Sequence, residues 1–152
     1  MLIWRFIIRP SLHPHPIRKY YKKGCYAIVT GASEGVGRAY AKYLAKEGFN
    51  LIVIARRKEL LDSLKEELEN EYHINVIIIN KDMRSEELYS ELESVIKDKN
   101  VTVLVNNAGI SIHYSFDKFS VADIDKMVSL NIEGTNKMTH IFLKHITNQF
   151  VH

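Results

Sequence analysis

The chain has 152 residues, 46% of them hydrophobic and 26% charged, the composition of one globular domain with a sizeable core. Its net charge of +3 is carried at one end: Arg5, Arg9, Arg18, Lys19, Lys22 and Lys23 precede Cys25 with no acid among them, and the remainder holds fifteen basic against eighteen acidic residues. That balance does not suggest a nucleic-acid binder, which would carry a basic stripe on the folded part, and the single cysteine excludes an internal disulfide.

Residues 1–23 read as a segment apart from the domain, which occupies 24–152. "MLIWRFIIR" is too short to cross a bilayer, which takes roughly 20 apolar residues, and it lacks the small-residue cleavage pattern of a secretory signal. Three readings stay open. Pro10, Pro14 and Pro16 suit a disordered arm. Trp4 and Phe6 beside basic residues suit a peripheral membrane contact. The third is a transit peptide.

From Cys25 the chain alternates short apolar runs with longer stretches of helical period. "CYAIVT" (25–30) predicts a strand, with Cys25 buried and inert at its start. Residues 36–48 predict a helix closed by Gly48. "NLIVIA" (50–55) is a second strand. "KELLDSLKEELENEY" (58–72) places Leu60, Leu61, Leu64 and Leu68 on one face. "INVIIIN" (74–80) is a third strand, and Ser85 with Glu86 and Glu87 opens a helix burying Leu88, Leu92, Val95 and Ile96. "VTVLVNN" (101–107) is a fourth strand. Ser120 and Asp123 then open, as a capping-box pair, one long helix running to about 148 and burying Ile124, Met127, Val128, Met138, Ile141 and Phe142. Apolar strands separated by helices imply an α/β, doubly wound parallel sheet of the Rossmann kind.

Thr30-Gly31-Ala32-Ser33-Glu34-Gly35-Val36-Gly37 follows a strand and opens a helix, the context a diphosphate-binding turn requires. Gly31 permits the turn, Gly35 admits a pyrophosphate to the backbone, and Gly37 lets the helix pack closely. The helix N-terminus offers free N–H groups to the anion. An NAD site carries an acid at the end of the second strand; here the chain reads Ala55-Arg56-Arg57. Guanidinium forks suit a 2′-phosphate, so NADP(H) is expected over NAD(H). Glu34, an acid inside the phosphate turn, argues the other way. His140 and His145 are five apart on a helix, off the i, i+4 spacing of a metal pair, and no metal is expected.

The spacing Thr30-Gly-x-x-x-Gly-x-Gly37, together with "NNAG" at 106–109, resembles the short-chain dehydrogenase/reductase family. Asp82 after the third strand and Asn131 in "SLNIEGTN" match it too, over residues 25–148. "GRAYAKYLAKEGFNLIVIARRKELL" is similar to the branch of very-long-chain 3-ketoacyl-CoA reductases and related hydroxysteroid dehydrogenases, and "RKYYKKG" (18–24) to that branch's basic, aromatic approach to the first strand. The resemblance implies an NADP(H)-dependent oxidoreductase reducing a 3-ketoacyl-CoA or steroid-like ketone, associated with the endoplasmic reticulum membrane; the cytoplasm is the other expected location.

Position by position, the resemblance implies that Gly31, Ser33, Gly35, Val36 and Gly37 contact the cofactor phosphates, and that Arg56 and Arg57 face the 2′-phosphate. Asp82 and Met83 lie near the adenine; Asn107, Ala108 and Gly109 border the ribose and nicotinamide. Asn131 kinks the long helix and holds a relay water. The family's Ser and Tyr-x-x-x-Lys fall after that helix, where the chain ends at His152. The chain therefore reads as the N-terminal half of such an enzyme, truncated after the fourth strand and the long helix. The alternative is a catalytically inactive NADP(H)-binding fragment that associates with a full-length relative; helix 121–148 is the expected contact, in a homo- or a hetero-dimer. Tyr114 and Lys118 have Tyr-x-x-x-Lys spacing but precede Asn131, and read as a substrate-side or lid segment.

Overall fold

A computed structural model describes residues 17–150; residues 1–16, and with them most of the expected arm or membrane-contacting segment, lie outside the described residues. The core elements are β1 (Tyr26–Thr30), α1 (Gly35–Lys46), β2 (Asn50–Ala55), α2 (Lys58–Tyr72), β3 (Val76–Asn80), α3 (Glu86–Ile96) and β4 (Val101–Val105). Helix α4 (Val121–Val128), a π-helical segment (Ser129–Gly134) and α5 (Thr135–Phe150) follow.

All strand pairs are parallel, in the order β3-β2-β1-β4. Alternating side chains leave the sheet on opposite faces. Val29, Leu51 and Val53 join Leu44 of α1 and Leu61, Leu64 and Leu68 of α2 in one core. Ile28, Ile52, Ile54 and Ile79 join Leu88 and Leu92 of α3 and Met138 and Ile141 of α5 in the other. Helices on both faces make the sheet doubly wound, as its uniformly apolar strands require. Each fully buried Leu or Ile contributes about 1.5–3 kcal/mol, which commits both faces.

Helix α1 ends in a Schellman motif. Gly48, at φ +92°, donates its N–H to Ala45 O (2.9 Å), and Phe49 donates to Leu44 O (3.1 Å). Phe49 and Leu44 are both buried, supplying the apolar contact that accompanies the motif. Cys25 is fully buried just before β1. Between β1 and β4 the register skips Thr102: Tyr26 pairs with Val101 and Ala27 with Val103.

Several boundaries differ from the sequence reading. β3 begins at Val76 rather than residue 74, and Leu60 and Val95 are half-buried at the margins of their helices. Tyr89, buried with its hydroxyl donating to Met83 O at 2.5 Å, joins the apolar face of α3. The expected single helix to 148 is interrupted by the π segment around Asn131. Ile124 and Val128 are exposed and Met127 is half-buried, whereas Met138 and Ile141 are buried as expected. The reason is position: α5 packs on β4 and α3, whereas α4 packs chiefly on the π segment that follows it.

Candidate functional site

At the C-terminal ends of β1, β2 and β4 lies a cavity of about 460 Å³, where an open α/β sheet places its ligand crevice. Of the residues singled out in the sequence, Gly31, Ser33, Arg56, Arg57, Asp82, Met83, Asn107, Ala108 and Gly109 line it. Gly35, Val36 and Gly37 do not. Val36 points outward from the first turn of α1 and is exposed.

The glycine turn is held by its neighbour strand. The Thr30 hydroxyl donates to Val105 O (3.3 Å) and accepts the N–H groups of Asn107 and Ala108, both at 3.0 Å, so a buried hydroxyl has all its capacities filled. Asn107 Nδ2 donates to Thr30 O (3.0 Å) and Gly31 O (3.3 Å). Gly31 is at φ +65°, which favours glycine. A Cβ on Gly37 would run into the Gly31 carbonyl oxygen and come within 2.5 Å of Asn107 Nδ2. The helix therefore presses against the turn itself.

The first bond of α1 runs from Arg38 N–H to Glu34 O (3.2 Å), and no side chain caps the helix start. The N–H groups of Gly35, Val36 and Gly37 thus lack intrahelical partners. An uncapped helix N-terminus beside a cavity lined by Gly31 and Ser33 fits a diphosphate.

Two arginines stand at the end of β2. Asn80 fixes the backbone there, Nδ2 donating to Ala55 O (3.0 Å) and Arg56 O (2.9 Å). Arg57 forms an ion pair with Glu34, and its Nη2 lies 3.4 Å from Ser33 Oγ. Arg56 Nη1 lies 3.8 Å from Asp82 Oδ2. Asp82 is held more firmly by Arg84, whose Nε and Nη2 donate at 3.0 and 2.8 Å and whose backbone N–H donates at 2.9 Å. These bonds, with the charge of Arg56 behind them, lower the Asp82 carboxyl to about 2 despite partial burial.

Asn131 sits in the π segment, a local form frequent at functional sites. Its Oδ1 accepts Ile110 N–H (2.9 Å) and its Nδ2 donates to Ile110 O (2.8 Å), binding the helix to the loop after β4. A Cβ on Gly109 would lie 3.2 Å from Asn131 Oδ1, so that loop passes close. Tyr114 lies apart, half exposed, its hydroxyl donating to Asp123 Oδ2 (2.9 Å); the carboxylate it donates to raises its pKa. A raised pKa is the reverse of what an activated tyrosine needs.

The short chain dehydrogenase family matches residues 26–150. The chain belongs to that family. A very-long-chain 3-oxoacyl-CoA reductase of Kluyveromyces lactis is 42% identical over 134 residues, covering 85% of this chain and 39% of that protein. Hydroxysteroid dehydrogenase-like protein 1 of Gallus gallus is 36% identical over 123 residues, covering 79% and 37%. A short-chain dehydrogenase from Sphingobium yanoikuyae, solved in complex with NADPH, superimposes with a TM-score of 0.72 at 26% identity, over 77% of this chain and 46% of that one. The chain thus spans less than half the length of each of these three short-chain dehydrogenase relatives.

Sequence reasoning missed several parts of this cavity. Lys81, Ile54, Ile110 and Leu130 also line the cavity. Asn80, which shapes its wall, was visible only as a polar residue ending an apolar strand, and Thr30 only as the first residue of the glycine turn. Among the described residues no group of three His, Cys, Asp or Glu side chains is placed to hold a metal.

Proposed function

We propose that the chain is the cofactor-binding part of an NADP(H)-dependent short-chain reductase acting on a 3-ketoacyl-CoA or a steroid-like ketone. The observation that carries the cofactor choice is the pair Arg56 and Arg57 lining the cavity at the end of β2, where an NAD site would carry an acid. The NADPH bound by the Sphingobium yanoikuyae relative supports it, and the names of the Kluyveromyces lactis and Gallus gallus relatives support the substrate class.

The bound cofactor supplies or accepts a hydride. The chain's residues hold it: Gly31, Ser33 and the start of α1 take the diphosphate, Arg56 and Arg57 the 2′-phosphate. Asp82 and Met83 flank the adenine, and Asn107, Ala108 and Gly109 border the nicotinamide ribose. Asn131 positions that border through Ile110. Tyr114, whose hydroxyl donates to Asp123, takes no part in these roles.

A second reading is a binding partner without turnover, docking a full-length relative through 121–148. It is favoured by the exposure of Ile124, Val128 and Ile132 along one stretch. Placement at the endoplasmic reticulum membrane belongs to the same family-based proposal. No helix among the described residues is long and apolar enough to cross a membrane.

Calorimetric titration with NADP+ and NAD+ tests the cofactor assignment. NADP+ is expected to bind at least ~10-fold more tightly, since charge-assisted bonds to a phosphate are strong. Equal affinities refute it.

A further inference from the structure

The two arginines at the end of β2 are not equivalent. Arg57 is engaged: Glu34 pairs with its guanidinium and Ser33 Oγ lies 3.4 Å from Nη2. Arg56 is loosely held, 65% exposed, with its nearest carboxylate 3.8 Å away. That carboxylate, on Asp82, is already occupied on both oxygens by Arg84. Glu34, Arg56 and Arg57 all line the cavity. An anion entering beside β2 therefore meets one available guanidinium and one that already holds a carboxylate.

We infer that Glu34 is a specificity-determining residue of this site: it competes with the incoming 2′-phosphate for Arg57, leaving Arg56 as the principal phosphate anchor and holding NADP(H) preference below what two arginines could give. The inference rests on the proposed NADP(H) reading of the cavity. Its physical basis is that a guanidinium fork is directional and can be bidentate to one anion at a time. A dianionic phosphate must displace Glu34 or accept Arg57 at reduced strength. Glu34 is 66% exposed at its side chain, so the competition is screened and its size is a few-fold. A ligand without the 2′-phosphate does not enter the competition.

The test is calorimetric binding of NADP+ and NAD+ to the full chain and to Glu34→Gln, Arg56→Ala and Arg57→Ala. Glu34→Gln is expected to tighten NADP+ by ~3-fold to ~5-fold and to change NAD+ by less than ~2-fold. Arg56→Ala is expected to weaken NADP+ by ~10-fold or more, and Arg57→Ala by less than ~3-fold. Equal tightening of both dinucleotides by Glu34→Gln overturns the inference, since Glu34 would then repel the shared diphosphate. Weakened NAD+ binding by Glu34→Gln overturns it too, since Glu34 would then accept a ribose hydroxyl. A larger loss at Arg57 than at Arg56 overturns the anchor assignment. The wild-type ratio of the two affinities judges the NADP(H) reading separately: a chain without preference sinks that reading, while the shift in ratio on Glu34→Gln still decides the role of Glu34. A chain that binds neither dinucleotide overturns both.

Discussion

Asn107 bonds twice to Thr30, as the donor both times. The Asn107 backbone N–H donates to Thr30 Oγ1 at 3.0 Å, and Asn107 Nδ2 donates to Thr30 O, also at 3.0 Å. The two residues are 77 positions apart in the chain and close the ends of β1 and β4 against each other. The glycine turn hangs from this clamp, because the same amide also reaches Gly31 O.

Breaking the clamp should therefore cost both stability and binding. Thr30→Val leaves the part-buried N–H groups of Asn107 and Ala108 without their acceptor, at roughly 1–2 kcal/mol for each. Denaturant unfolding should show a loss of about 2–4 kcal/mol, with Thr30→Ser near wild type. Dinucleotide affinity should fall ~10-fold or more in Thr30→Val. An unchanged midpoint in that variant would show that the clamp does not hold the turn.

Gly37→Ala should be damaging although it adds only one methyl group. The added methyl meets the Gly31 carbonyl and the Asn107 amide, both fixed by the clamp. Overpacking against backbone costs about 1–3 kcal/mol. Gly24→Ala, where a Cβ meets nothing within 4 Å but φ is +79°, isolates the conformational cost alone. Thermal unfolding of the two variants separates steric overlap from backbone strain.

Acid should weaken the fold through Asp82. Its folded pKa, about 2, lies below the unfolded value near 4. A depressed carboxylate contributes stability that is present above the unfolded pKa and lost as pH falls through the folded one. Between pH 5 and pH 3 this group alone should remove roughly 1 kcal/mol, less after screening, because its pair with Arg84 is local and partly exposed. Urea unfolding of wild type and Asp82→Asn at both pH values reads the difference: the variant should lose less on acidification. A parallel loss in the two proteins excludes Asp82 as a contributor.

One stabilising change stands apart from the site. His73 follows α2 in the left-handed region, φ 54° and ψ 37°, with its N–H bonded to Glu69 O at 3.1 Å. A non-glycine residue there costs about 1 kcal/mol, and helices favour glycine at such an exit. His73→Gly keeps the hydrogen bond and removes the strain. It should raise stability by about 0.5–1 kcal/mol, or about 1–4 °C in Tm, net of the added chain entropy. A lower Tm would mean that the His73 side chain makes a contact outweighing its conformation.

The fold and the position of the cavity were legible in the sequence. The apolar runs ending at Thr30, Ala55, Asn80 and Val105, with helices between them, specify parallel strands buried on both faces, and parallel order brings all four C-terminal ends to one edge. Local signals such as Gly48 after α1 and the Ser120–Asp123 capping box also act over a few residues and needed no tertiary context. What tertiary structure alone decided involves partners far apart in the chain. Nothing near Thr30 announces its bonds to residues 105, 107 and 108, and nothing near Asn131 announces Ile110. The exposure of Ile124 and Val128 was illegible for the same reason: a helical period shows which side is apolar, and only the packed chain shows whether anything lies against it. The unequal states of Arg56 and Arg57, adjacent in sequence, likewise arise where Glu34, Asp82 and Arg84 converge on them, because ion pairing depends on distance in space and the sequence records only order.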